Sequence, residues 1–257
     1  MVDSLFATQS SVIREGLSDR LGCTADDLES EQLIVVELPV VTRPGVLARL
    51  ACSGFGAVAS VEPSLVQWVR ENAPKDHHFR ALQPFFLEQI AQRAMETGLA
   101  TVARGHGYST GFALNTLNLL PLTPPGLRLE LVDSAWIARY RDSKVFDNAL
   151  GAPEEVDRIA RTHHAVVALD ATGDPAAVAG WWDDGHGYQE IGVDVRRDAR
   201  GLGLGKLVTT AATRHIVEAA QAPFYVCGIT NIRSHRNALA CGFLPVYVIG
   251  LVRAVEE

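Results

Sequence analysis

Val193-Asp-Val-Arg-Arg-Asp-Ala-Arg-Gly-Leu-Gly-Leu-Gly-Lys206 is the stretch that decides how this chain is read. A strand pattern ends at Val195, and a loop bearing Gly201, Gly203 and Gly205 then runs into a helical pattern. Successive glycines let backbone N–H groups turn inward and let a ligand approach the main chain closely. The helix start behind them carries about half a positive charge. Arg200 and Lys206 flank the loop with full charges. Together these features suit a phosphate group. Two familiar phosphate motifs do not fit. A P-loop needs one more residue between its glycines, and Leu207 stands where its hydroxyl belongs. The dinucleotide fingerprint fails because the third-glycine positions are Lys206 or Val208.

Outward from the loop, the downstream pattern reads as a helix over Gly205–Ala220, a strand over Pro223–Gly228, a helix over Ser234–Cys241 and a strand over Phe243–Val252. Upstream lie three strands, Ala165–Asp170, Ala176–Trp182 and Tyr188–Val195, joined by hairpin turns rich in Asp and Gly. Before them come a strand over Leu127–Val132, a helix capped by Asp133 that runs to about Arg141, and a helix over Pro153–Thr162. Leu120-Pro-Leu-Thr-Pro-Pro-Gly126 can continue neither a helix nor a central strand. We therefore expect an N-terminal α+β domain over 1–120, a linker over 121–126 and a second domain over 127–257. In the first domain, helices are expected over 10–21, from Pro63 to Glu71, and from Pro84 to Thr97 with Gly98 ending it. Strands are expected at Leu33–Val41 and Ala57–Val61, and residues 99–118 stay ambiguous. The fold class is α/β in the α+β sense: a mixed, mostly antiparallel sheet with flanking helices, not a doubly wound βαβ repeat.

Arg200, Gly203 and Gly205 form R-x-x-G-x-G, five residues after a strand-ending valine. After the next strand comes Asn231-Ile-Arg-Ser-His-Arg-Asn-Ala-Leu-Ala-Cys-Gly-Phe243. This combination resembles the GNAT superfamily of N-acetyltransferases, across about Leu127–Arg253. The resemblance implies acetyl-CoA as co-substrate and a direct attack of an amine on its thioester. It implies that the diphosphate rests on the N–H groups of Arg200, Gly201, Leu202, Gly203, Leu204, Gly205 and Lys206. The pantetheine arm would lie along the strand at Val193 and Val195. Asn231 would bind that arm from the other side, with Ser234 and Arg236 toward the nucleotide.

Glu190, ten residues before Arg200, is the implied catalytic base; the alternative is an ordinary strand-face carboxylate. Asp194 shares its face by the period of two and is a second candidate. The resemblance also implies a proton-donating tyrosine seven residues after Asn231, where this chain has Ala238. Tyr225, Tyr247 or a water are the alternatives. The function expected is acetyl transfer from acetyl-CoA to a primary amine of a small molecule or peptide. The alternative is a non-catalytic acyl-CoA-binding sensor, and a third reading is a nucleotide-binding protein with an unfamiliar loop. The N-terminal half would wall off the acceptor pocket or dock at a sheet edge.

Composition sets bounds around this reading. The 257 residues are 47% hydrophobic and 21% charged, with net charge −7. That excludes a collagenous, disordered or disulfide-dense chain. Residues 1–126 hold 9 basic and 13 acidic side chains, and residues 127–257 hold 14 and 17. Neither half is a basic module, so no nucleic-acid partner is expected. No apolar run reaches the roughly 20 residues that a membrane span needs. The opening Met-Val-Asp-Ser-Leu-Phe lacks the regions of a signal peptide. Cys23, Cys52, Cys227 and Cys241 show no metal spacing and read as reduced, mostly buried cytoplasmic thiols, so no metal is expected. His77-His78 and His163-His164 are adjacent pairs and poor chelates. Trp181-Trp182 would put one ring in the core and one near substrate, or both in packing. No heptads appear, which leaves the oligomeric state open.

Overall fold

The computed structural model describes residues 2–40, 45–75, 77–141, 144–151 and 162–255. They form two compact units that interleave along the chain. Unit 1 is Met1–Ile13, Phe112–Val226 and Ile232–Leu244; unit 2 is Arg14–Gly111, Cys227–Asn231 and Pro245–Glu257. The expected linker, 121–126, carries neither helix nor strand and lies within the Phe112–Val226 stretch.

Seven α-helices are described: α1 (Val2–Leu21), α2 (Val66–Asn72), α3 (Pro84–Glu96), α4 (Ser134–Tyr140), α5 (Asp147–Leu150), α6 (Leu204–Glu218) and α7 (Ile232–Ala240). The strands are β1 (Leu33–Glu37), β2 (Val46–Cys52), β3 (Ala57–Val61), β4 (Ala103–Leu114), β5 (Arg128–Asp133), β6 (Thr162–Leu169), β7 (Pro175–Asp183), β8 (Tyr188–Val195), β9 (Ala222–Gly228) and β10 (Phe243–Ala254). Strands β4, β9 and β10 contribute residues to both units. The expected helix over Pro153–Thr162 lies outside the described residues, except for Thr162, which begins β6. Val41, the end of the first expected strand, also lies outside them.

In unit 1, β5, β6, β7 and β8 form an antiparallel meander, and β9 joins β8 in parallel after the α6 crossover. The turns are those the composition demands. Between β6 and β7, Asp170 Oδ1 accepts from the N–H groups of Thr172 and Asp174, and Gly173 takes φ +87°. Asp133 ends β5 and caps α4, its Oδ1 accepting from Ala135 and Trp136 N–H at 3.1 Å each. One sheet face packs Val132, Ala165, Val167, Leu169 and Val178 against Ile137 of α4 and Ala149 and Leu150 of α5. Helix α6 buries Leu204, Leu207, Val208, Ala211, Ala212 and Ile216. Its His215 stacks on Trp181 of β7, a residue of odd number, so α6 covers the other face.

In unit 2, β2 pairs antiparallel with β3 and β10, and β3 pairs in parallel with β1. Helix α3 buries Phe86, Leu87, Ile90, Ala91 and Ala94, one stripe at helical spacing. It stops as its composition dictates. Gly98 takes φ +75°, Leu99 N–H reaches the Ala94 carbonyl at 2.9 Å, and Gly98 N–H reaches that of Met95 at 3.1 Å. The Pro63 segment splits into a 3-10 turn over Pro63–Leu65, capped by Glu62, and then α2.

Candidate functional site

The site begins with the edge of β8. Arg196 donates its N–H to the Ala176 carbonyl at 2.9 Å, on the β7 side. Main-chain polar groups alternate in direction along a paired strand. Those of Asp194 and Gly192 therefore also face β7, and those of Val193 and Val195 face the opposite edge. On that edge β8 pairs with β9 only from Tyr188 to Ile191, the last pair being Ile191 with Tyr225. Both strands continue beyond that pair. Among the described residues, Val193 and Val195 thus present N–H and C=O groups to an edge that β9 has ceased to cover. The Val195 carbonyl accepts from Arg200 Nε at 3.2 Å, which folds the arginine back over the strand end.

The turn that follows is built by conformation rather than by packing. Gly201 has φ +86° and Gly203 has φ +75°, and a Cβ added to either would meet nothing within 4 Å. Glycine is required there by the left-handed backbone, with open space in front of it. Leu207 N–H makes a first-turn helical bond to the Gly203 carbonyl at 3.1 Å. The N–H groups of Leu204, Gly205 and Lys206 precede it and have no intrahelical acceptor. Gly203, the N-cap, offers no side chain to cap them. Leu204 is buried and anchors the turn, while Arg200, Gly201, Leu202, Gly203 and Lys206 are exposed. Such an arrangement presents donors and positive potential outward.

Gly205 has a different reason to be glycine. A Cβ there would lie 3.3 Å from Asn237 Oδ1 and 3.6 Å from Val195 Cγ2. It is the close-packing point of α6 against β8 and α7. Asn237 is fixed in turn, its Nδ2 donating to Thr209 Oγ1 at 2.9 Å. Sequence reading did not single out Asn237, because its partner lies on another helix.

Glu190 and Asp194 share one face of β8, as the period of two implies, but their surroundings differ. Asp194 accepts from Asn148 Nδ2 at 2.8 Å and from Ala149 N–H at 3.0 Å. Burial pushes its carboxyl pKa above the ordinary value, against the pull of those hydrogen bonds. Asp194 is therefore a tether for α5 rather than a free base. Glu190 is half-buried and stands across from Trp182 on β7 and Phe224 on β9. The side chains of Val193 and Val195 project from the other face.

The remaining expected residues divide between the units. Asn231 belongs to unit 2, where its N–H donates to the Gly228 carbonyl at 2.9 Å. Ser234 belongs to unit 1, and its Oγ lies 2.8 Å from Tyr225 Oη. Arg236 is exposed on α7. Ala238 is fully buried. The structure thus brings Val193, Val195, Arg200 and Gly201–Lys206 together at one strand end, and joins Ser234 to Tyr225. It sets Glu190 on the opposite sheet face from the valine side chains.

Other candidates take packing roles. Trp181 and Trp182 are both buried, and Trp181 stacks with His164 and His215. Burial pushes the Cys241 thiol up to about 11, which makes it a poor nucleophile at neutral pH. Among the described residues, no group of three or more His, Cys, Asp or Glu side chains is placed to hold a metal ion. No described helix is long and apolar enough to cross a membrane.

No protein-family model matches this sequence, and no curated protein matches it. Solved structures do resemble it. A GCN5-related N-acetyltransferase-like protein from Streptococcus suis is similar over 96% of this chain and 99% of its own, with TM-score 0.51 and 16% identity. A Drosophila protein is similar over 99% of this chain and 90% of its own, with TM-score 0.52 and 14% identity. At such identities the likeness is one of fold.

Proposed function

Starting from a chain that has the fold of the GCN5-related N-acetyltransferases, we propose that it transfers an acetyl group from acetyl-CoA to a primary amine of a small molecule or peptide. One observation carries the reading: an uncapped helix start, opened by two left-handed glycines, at the end of a strand whose outer edge is unpaired. The donor set fits the co-substrate. A diphosphate needs several convergent N–H groups with positive potential, and an amide-containing arm needs a strand edge. The N–H groups of Leu204, Gly205 and Lys206, with Arg200 and the Lys206 ammonium, would hold the diphosphate. Gly201, Leu202 and Gly203 would shape the approach to it. Val193 and Val195 would offer main-chain partners to the arm, with Ser234 and Arg236 toward the nucleotide.

Acetyl-CoA would supply the activated acyl carbonyl and a thiolate leaving group. The chain's own tasks are then three. It holds both reactants in place, which removes most of the entropic barrier. Glu190 takes up the proton lost by the attacking nitrogen. Oriented donors stabilise the negative charge that develops on oxygen and sulfur.

The test is thiol release from acetyl-CoA with a panel of amines, run beside calorimetric titration with CoA. Amine-dependent release, lost in Glu190→Gln while CoA binding persists, supports the enzyme. Binding without turnover across a broad panel supports the acyl-CoA-binding reading. Absence of binding removes both.

A further inference from the structure

We propose that the outer edge of β5 is a self-association surface, where the strand pairs antiparallel with β5 of a second copy about a two-fold axis at Leu129. Among the described residues, β5 pairs only with β6 and stands last in its sheet. Which of its main-chain groups face outward follows from the registers. The Ala176 carbonyl faces β8, so the groups of Ala177 and Ala179 face β6, and those of their partners Ala168 and Val166 face β7. Ala165 and Val167 therefore face β5, together with their partners Val132 and Glu130. The N–H and C=O groups of Leu129 and Leu131 point the other way, into the open edge. Their side chains share the sheet face opposite Val132; Leu131 is 53% exposed and Leu129 is half-buried.

Charge chooses the register. Arg128 and Glu130 are exposed, and their Nε and Oε1 lie 2.7 Å apart along the edge. Charges of one sign would repel a second edge; these are of opposite sign and two residues apart. Outward main-chain groups meet in registers centred on Arg128, Leu129, Glu130 or Leu131. Centred on Arg128 or Glu130, that residue faces its own copy, like charge on like. Centred on Leu131, Arg128 falls opposite Ser134 and Glu130 opposite Val132. Centred on Leu129, Arg128 of each copy stands opposite Glu130 of the other, in non-hydrogen-bonded pairs whose Cβ atoms are about 4.5–5.5 Å apart. Leu129 then meets Leu129, and Leu127 meets Leu131.

In that register Leu129 of each copy exchanges N–H···O=C bonds with the other, as in any strand addition. Each Leu131 N–H donates to the Leu127 carbonyl opposite, whereas the Leu127 N–H is already donated to the Pro124 carbonyl at 3.2 Å. That bond closes a turn in which Gly126 takes φ +79°, so the pairing ends there. The turn of the second copy comes to lie beside a groove of about 430 Å³ lined by Leu131, Val132, Asp133, Trp136, Arg139 and His164. The Trp136 ring, stacked on Tyr140 at 4.3 Å, offers an apolar surface to the prolines of that turn. Each copy has one such edge, so the two-fold contact closes at a dimer. An interface of one strand and its flanks falls below about 1,200 Å², in the weak class, so the dimer depends on concentration.

The experiment is sedimentation velocity of the full chain over a range of protein concentrations, for wild type, Arg128→Glu, Glu130→Arg and the double swap. Wild type should show a monomer–dimer equilibrium. Each single reversal sets like charges opposite each other at both crossings and should weaken dimerisation at least about tenfold. The double swap restores opposite charges and should return the dissociation constant to within about threefold of wild type. Amide exchange of wild type gives a readout that needs no variant. The Leu129 and Leu131 amides should slow as concentration rises, while those of Arg128 and Glu130, which face β6, should not change. A monomer at every concentration up to about 1 mM, assembly beyond the dimer, indifference to the single reversals, or a double swap as weak as they are overturns the proposal. So does exchange at Leu129 that ignores concentration. CoA binding and acetyl transfer are untouched by any of these results.

Discussion

Replacing Gly203 by alanine separates the conformational cost of the turn from its use. The residue has φ +75°, and a methyl group there would meet nothing within 4 Å. The substitution therefore creates no clash, and only the left-handed backbone is penalised. That penalty is about 1–2 kcal/mol. Loss of freedom in the unfolded chain offsets about 0.4–1 kcal/mol of it. The net destabilisation is about 1 kcal/mol, or a fall in Tm of roughly 2–4 °C for a chain of this size. Gly98, past the end of α3, is a matched control, with φ +75° and equally open space. Gly98→Ala should cost the same stability. The two variants should part in calorimetry with CoA. A methyl group in front of the turn displaces at least one charge-assisted hydrogen bond, worth about 1.5–3 kcal/mol. Gly203→Ala should then weaken binding by at least about tenfold, and Gly98→Ala should leave it unchanged. Equal affinities in all three proteins would refute the placement of a diphosphate at this turn. Equal weakening in both variants would show that the loss is global.

Three further outcomes are expected. Gly180→Ala should destabilise the protein by about 1–3 kcal/mol in urea unfolding, because its new methyl group would run into the backbone carbonyl of Ala149; an unchanged midpoint would mean that α5 does not pack there. Asp194 has a folded-state pKa above its ordinary 3.8, so its contribution to stability is fully present below 3.8 and is lost as pH rises through the raised value. Wild-type stability relative to Asp194→Asn should fall over that window and then level off, and a pH-independent difference would contradict the burial of this carboxylate. Arg200→Ala should weaken CoA binding about tenfold and flatten its salt dependence, whereas an unchanged salt dependence would place its guanidinium charge away from the ligand.

How much of this was legible in the sequence depends on where each signal resides. The meander of β6, β7 and β8 was readable because its turns carry Asp and Gly at the demanded positions, and α3 because Pro84 and Gly98 mark its ends. Strand β2 was missed, since it is buried almost throughout and shows no alternation. Strand β4 stayed ambiguous because Gly105, Gly107 and Gly111 interrupt it. The structure gives Gly105 a reason: a Cβ there would lie 2.8 Å from that of Leu87 on α3. The three glycines of the loop look equivalent as letters, yet two are set by positive φ and the third by contact with Asn237. Partners distant in the chain were beyond reach. Period-two reasoning put Asp194 beside Glu190, but nothing in that pattern announces Asn148, 46 residues away. Likewise Ser234 could be placed on a helix, but not against the Tyr225 hydroxyl.

Amide hydrogen exchange of residues 200–207, in the free protein and with CoA or pantetheine, tests the site most directly. CoA should slow exchange at Leu204, Gly205 and Lys206, whose N–H groups precede the first turn's bonding, and pantetheine, which lacks the diphosphate, should not. Unchanged exchange at these amides under saturating CoA, or equal protection by pantetheine, would contradict a diphosphate held at the start of α6.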